Sequence, residues 1–156
     1  MKAVSLEAFC HTGSLGPIRL GVSRAQIQEA VGPPEYVGGT TRKYRQPSLW
    51  GYGNIELHFV RGGDELWLIH LENFQVPETG GNLKLDPWII RGEMARSEVE
   101  YHLAACQLPF QQIQSPEENC TWLRVGAGIT FIFINERRPY DPPPGLFALS
   151  FSVHDR

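Results

Sequence analysis

His58 and His70 lie in neighbouring apolar stretches, and each stands two residues from a glutamate, Glu56 and Glu72. Two imidazoles facing each other across a hairpin could hold a metal ion, with either carboxylate completing the set. Yet none of His11, His58, His70, His102 and His154 shows the i, i+4 or His-x-His spacing that puts two ligands on one side of an element. The pattern therefore reads as a polar, solvent-facing sheet surface, and no metal or cofactor is expected. Cys10 and His11 fail as a nucleophile and base, because adjacent residues of a strand point apart. Glu136 and Asp141 could form a carboxylate pair, but they flank a Pro-rich turn where charge serves solubility. No catalytic residue is assigned. The remaining set is aromatic and basic: Trp50, Tyr52 and Trp67, preceded by Arg42, Lys43, Tyr44 and Arg45. These types fill cores, but on an uncovered sheet they are also the types enriched in binding hot spots. Trp50, Tyr52, Trp67, Arg42 and Tyr44 are the candidate partner-binding residues.

The elements that would position them follow from periodicity. Ser23 is an N-cap with Gln26 three residues on, as in a capping box. Val22, Ile27, Ala30 and Val31 give a helical apolar face, which Gly32 and Pro33-Pro34 end. Residues 37–48 are a strand or a loop. From 54 to 59 the period becomes two, with Ile55, Leu57 and Phe59 opposite Glu56 and His58. Arg61-Gly62-Gly63-Asp64 signals a turn. Residues 66–71 return as a strand with Trp67, Ile69 and Leu71 on one face and Leu66, Leu68 and His70 on the other. Residues 3–9 read as an edge strand, 77–82 as a linker and 83–90 as a short strand before a second helix from Met94. Residues 110–114, 121–125, 129–134 and 146–153 read as further strands, with 129–134 central because it is apolar on both faces.

The halves echo one another. Ser23-Arg24-Ala25-Gln26-Ile27 sets over Ala95-Arg96-Ser97-Glu98-Val99, residues 54–59 over 128–133, and 66–71 over 146–151. The order is kept, and the spacing grows only at loops, where insertions are tolerated. A lone unit of this size cannot hide its sheet face, whereas two can share one core. The expected fold is α+β: two helix-plus-β-hairpin repeats, 1–76 and 83–156, forming one antiparallel sheet in a single compact domain with the helices on one face.

With 156 residues, 42% apolar and 20% charged, the chain is an ordinary globule able to bury a sizeable core. A net charge of −3 without a clustered basic face argues against nucleic acid. No stretch approaches the roughly 20 apolar residues of a membrane span. Three cysteines without a Cys-x-x-Cys pair read as reduced thiols, and the N-terminal residues lack a signal-peptide core, so a cytoplasmic protein is expected.

Leu20-Gly21-Val22-Ser23-Arg24-Ala25-Gln26-Ile27, closing in Val31-Gly32-Pro33-Pro34 and followed by Trp50-Gly51-Tyr52 and a hairpin, resembles a recurring bacterial signature. It is similar to the repeat of small outer-membrane-assembly lipoproteins and of tandem-repeat β-lactamase inhibitor proteins. The second half departs from it, with Cys106-Gln107-Leu108-Pro109 in place of the Gly-x-Pro stop, and the lipidated cysteine of the lipoproteins is missing. The resemblance implies a protein binder without catalysis. The expectation is an immunity or inhibitor protein that occludes a partner with its sheet face. The alternatives are a small-ligand binder or enzyme with a pocket between the halves, lined by His58, His70 and Glu72, and a structural oligomer built on the sheet edge.

Overall fold

Two of the three described helices begin at a serine side chain that caps the orphan backbone, and all three end on a backbone hydrogen bond across the last turn. The computed structural model describes residues 2–72, 74 and 82–154; the linker expected at 77–82 lies outside these, apart from Asn82. The short strand β1, Lys2–Ser5, runs into helix α1, Leu6–Thr12. Ser5 Oγ accepts from Ala8 N at 3.2 Å, and Gly13, left-handed at φ 76°, closes the last turn by donating to the Phe9 carbonyl at 2.8 Å. The edge strand expected over 3–9 is therefore strand only as far as Ser5, and helix from Leu6. Leu6, Phe9 and Cys10 are buried at helical spacing behind a serine cap, a pattern too short to outweigh the run of apolar residues read as a strand.

Helix α2, Arg24–Val31, carries the capping box read from the sequence: Ser23 Oγ accepts from Gln26 N at 3.2 Å, and Gln26 Oε1 accepts from Ser23 N at 2.9 Å. Helix α3, Arg96–Ala105, has Ala95 at its N-cap and no side-chain cap. Its end is a Schellman motif, with Leu108 N donating to the Leu103 carbonyl at 2.9 Å and Gln107 N to the Ala104 carbonyl at 3.1 Å. The left-handed position that glycine usually fills is held by Gln107, at φ 57°.

Eight of the other nine strands build one antiparallel sheet, and the protein is α+β. After α2 come β2 Tyr36–Gly38, β3 Leu49–Tyr52, β4 Ile55–Phe59 and β5 Leu66–Glu72. After α3 come β7 Phe110–Ile113, β8 Cys120–Val125, β9 Ile129–Ile134 and β10 Gly145–Ser152. The spatial order is β2-β3-β4-β5-β10-β9-β8-β7, so each run of four is a meander and the two meet where β5 pairs with β10. Residues 36–52 thus extend what was expected as a hairpin. The segment expected at 83–90 is strand only as β6, Leu83–Asp86, which stops before Pro87 and pairs in parallel with β1 in a separate two-stranded sheet.

Alternate residues of the large sheet are buried in one cluster: Ile55, Leu57, Ile69, Leu71, Leu123, Phe131, Phe133, Leu149 and Phe151. The same cluster holds Leu6 and Phe9 of α1, Ile27 and Val31 of α2, Val99 and Leu103 of α3, and Val4, Leu83 and Leu85 of the parallel pair. Phe9 meets Phe151 edge-on at 6.1 Å between ring centroids, and the Arg24 guanidinium lies 4.4 Å over Phe59. Fully burying one such apolar side chain is worth roughly 1.5–3 kcal/mol, so this shared core dominates the fold.

Two bulges break the alternation. In β5, Leu66 pairs with Phe59 and Leu68 with His58, leaving Trp67 as an extra residue. In β10, Leu146 pairs with Phe133 and Ala148 with Ile132, leaving Phe147 extra. The expected grouping of Trp67 with Ile69 and Leu71 is therefore corrected. The bulge sends Leu66 into the core, and Trp67 stands half-buried with its ring 6.2 Å from that of His58 and 6.4 Å from that of His154.

Candidate binding face

The face of the sheet opposite the core supplies none of its residues to the cluster that takes the helix side chains. Its central row crosses every strand in register: Tyr36, Gly51, Glu56, His70, Ser150, Thr130, Arg124 and Gln111. On either side lie Leu49, His58, Leu68 and Ser152, and Glu72, Ala148, Ile132, Trp122 and Ile113. Leu49, Leu68, Trp122, Ile132 and Phe147 are half-buried although apolar, and the small Thr130 and Ala148 beside them are fully buried.

The β2–β5 half of this face is polar at its centre. His58 and His70 do not face each other as expected. The hairpin register sets His70 opposite Glu56 and His58 opposite Leu68. Each imidazole instead bonds the carboxylate two residues away on its own strand, His58 Nε2 to Glu56 Oε2 and His70 Nε2 to Glu72 Oε2, both at 3.3 Å. Among the described residues, no three of His, Cys, Asp and Glu form a group suited to a metal ion.

Tyr36 was not singled out in the sequence, yet it completes this half. Its ring lies flat on the sheet over Gly51, where any Cβ would collide with it. A glycine inside a strand, between Trp50 and Tyr52, is the signal that could have flagged such a close approach. The ring is 41% exposed. Partial burial, and the carboxylates of Glu56, Glu35 and Glu72, raise the phenol's pKa above its ordinary value.

The five candidate residues are not brought together. Trp50 and Tyr52 are 7% and 0% exposed and belong to the core: Trp50 packs edge-on against Phe59 at 5.2 Å, and the Tyr52 hydroxyl donates to the Gly32 carbonyl at 2.9 Å. Their strand alternates with Gly51, so its bulky residues point inward and the gap faces out. Trp67 reaches the open face because of the bulge. Arg42 is exposed in the β2–β3 loop, and Tyr44 is half-buried there, under Lys43 Nζ at 5.2 Å and against Gly62 of the β4–β5 turn.

Cys10, Glu136 and Asp141, also weighed in the sequence, belong to no strand of this face. Cys10 is buried, and burial, helped by the charge of Glu7, pushes its thiol up to about 12. Cys120 is raised to about 11 by burial, by its hydrogen bond to Glu117 Oε2 at 3.2 Å, and by the charges of Glu117 and Asp141. Glu136 and Asp141 are tied by Asn119, whose Nδ2 donates to the Glu136 carbonyl at 2.8 Å and to Asp141 Oδ2 at 2.9 Å. A cavity of about 500 Å³ opens beside the end of β5, lined by Glu72, Phe74, Glu93, Pro142, Leu146 and Phe147. Of His58, His70 and Glu72, only Glu72 is among the described residues that line this cavity.

Among the described residues, no helix is long and apolar enough to cross a membrane. The chain matches no protein-family model, no curated protein and no solved structure.

Proposed function

We propose that the protein is a non-catalytic protein-binding module, an immunity or inhibitor protein that acts through the open face of its sheet. One observation carries this reading: half-buried Leu49, Leu68, Trp122, Ile132 and Phe147, with two His-Glu pairs in the β2–β5 half, lie outside the core cluster that takes the helix side chains. Faces of this kind are interfaces, because a monomer gains nothing by exposing them. Free thiols at Cys10, Cys106 and Cys120 fit a reducing compartment.

The reading includes a duplication, 1–76 and 83–156, with the helices covering the other face. Its support is a shared device. Before α2, Gly21 N donates to the Leu66 carbonyl and Leu66 N to the Val22 carbonyl, at 2.8 and 2.9 Å. Before α3, Glu93 N donates to the Leu146 carbonyl and Leu146 N to the Met94 carbonyl, at 3.0 and 2.9 Å. In both places the docked leucine precedes a bulged aromatic residue, Trp67 or Phe147.

The test is affinity capture from host-cell lysate with the wild-type chain and with Trp67→Ala/Leu68→Glu. A protein retained by the wild type and lost from the double variant, at an unchanged thermal midpoint, supports the reading. No specific protein retained, or equal retention by both, overturns it. The cavity beside Glu72 favours a second reading, a small-ligand binder, and a thermal-shift screen of metabolites with Phe147→Trp as the blocked control addresses it.

A further inference from the structure

The two halves of the open face differ in chemistry. Strands β8–β10 present the half-buried Trp122, Ile132 and Phe147, beside the exposed Arg124 of the central row. Strands β2–β5 contain no lysine or arginine. They carry Glu56 and Glu72, with Glu35 just before β2, and the charges of these carboxylates add to burial in raising the pKa of Tyr36. The basic residues Arg42, Lys43, Arg45 and Arg61 lie in the loops that follow β2 and β4.

We infer that the partner is a protein segment that lays an arginine side chain on Tyr36, within the rim of Glu56 and Glu72, and sets apolar side chains on the β8–β10 half. This rests on the protein-binding reading and names the chemistry of the occupant. The argument is charge complementarity on a built platform. Gly51 lets the phenol ring lie flat, so that one π-face packs on the backbone and the other faces solvent. A guanidinium is planar, stacks on an aromatic face and binds carboxylates through two parallel donors, which an ammonium cannot do. Glu56 lies in the same register row as Gly51, one strand over, and Glu72 two residues beyond His70, so an arginine above Tyr36 has carboxylates on the side toward the sheet centre. His58 and His70 each occupy one carboxylate oxygen, which holds Glu56 and Glu72 in place and leaves their charge available to the partner. A nucleic acid or an anionic lipid surface would meet like charge here.

The probe is N-acetyl-arginine-N-methylamide, titrated into the full chain and followed by NMR, with the citrulline and lysine analogues as controls. Saturable shifts centred on the Tyr36 ring, Gly51 and Glu56 are expected with the arginine probe and none with citrulline. Tyr36→Leu should weaken binding roughly three- to five-fold, the scale of an exposed cation–π contact. Glu56→Gln with Glu72→Gln should weaken it further and remove most of the salt dependence. Equal shifts with citrulline, or shifts untouched by Tyr36→Leu, overturn the inference. Tyr36 lies on an edge strand at the surface, and an unchanged thermal midpoint confirms that the variant folds. If a captured partner is lost from Trp67→Ala/Leu68→Glu but binds Tyr36→Leu at full strength, the arginine assignment fails while the protein-binding reading stands.

Discussion

Arg24 shows how much one side chain can organise. It is 5% exposed, and its guanidinium ties three segments that are distant in sequence. Nη1 donates to the Gly63 carbonyl at 2.7 Å and to Asp64 Oδ1 at 3.1 Å, and Nη2 donates to the Pro47 carbonyl at 2.9 Å, while the group stacks on Phe59. Arg24→Met keeps the apolar stem but leaves buried carbonyls unpaired, and we expect a loss of about 2–4 kcal/mol in urea unfolding. Arg24→Lys should recover little, since one ammonium cannot span the fork; a loss below about 1 kcal/mol in either variant would contradict this account. Tyr52 acts through its proton. Burial raises its phenol from 10.0 to about 12, so the folded state holds the proton more tightly than the unfolded chain. The stabilisation is complete below pH 10 and is lost as pH climbs toward about 12, where only the unfolded state has ionised at first. Tyr52→Phe should cost about 1 kcal/mol at pH 7 through the lost bond to Gly32, yet flatten the decline between urea melts at pH 9 and 11. Parallel declines in both proteins would show that the raised thiol of Cys10 and other groups carry the effect. Neither role was legible in the sequence. Arg24 looked like one polar residue of a helix, and Tyr52 could be read as core filling or as a binding residue, because inward and outward positions of a short strand are set by partners that lie far along the chain.

At the scale of elements, what the sequence showed was local chemistry. The Ser23–Gln26 box, the Gly32 stop and the alternation of 54–59 could be read because each depends on residues within a few positions. The bulges could not, since an extra residue in β5 is defined only against its partner in β4. That one shift carries Trp67 onto the open face and Leu66 into the core, so the place of these two residues was hidden from a strict period of two. The end of α3 is an intermediate case. The sequence departs from a glycine stop at Cys106-Gln107-Leu108-Pro109, yet the structure makes the stop anyway, at the cost of placing Gln107 in the left-handed region. A non-glycine residue there loses roughly 1 kcal/mol to the contact between Cβ and the carbonyl. Gln107→Gly should therefore stabilise the protein by about 0.5–1 kcal/mol, reduced by the extra entropy of glycine in the unfolded chain. A destabilised Gln107→Gly in differential scanning calorimetry would mean that the Gln107 side chain makes a compensating contact.

For the whole molecule, the question is whether the two meanders are also two folding units. The packing says otherwise. β5 and β10 are the innermost strands and each is the other's neighbour, so cutting between the halves would expose both as edges. The core crosses the same line. Phe151, in β10, pairs in register with Ile69 of β5 and packs on Phe9 of α1, while Ala127 N, in the β8–β9 turn, donates to the Cys10 carbonyl of α1 at 3.0 Å. α1 thus belongs by sequence to the first half and by contact to both. Gly13 closes that helix against the Phe151 ring, and any side chain there would meet the ring at 2.8 Å. Removing this ring leaves a cavity at the junction that rigid neighbours on both sides cannot close. Phe151→Ala should cost about 3–5 kcal/mol. Because the lost contacts belong to both halves, the variant should unfold in one transition at lower temperature, with calorimetric and van't Hoff enthalpies still equal. Had the halves been independent, the same substitution would split the transition, leaving one component at the wild-type midpoint. A single cooperative core also gives the open face its rigidity: Trp67 and Phe147 stand at opposite ends of one central strand pair, so a partner meets both aromatic residues at a fixed separation.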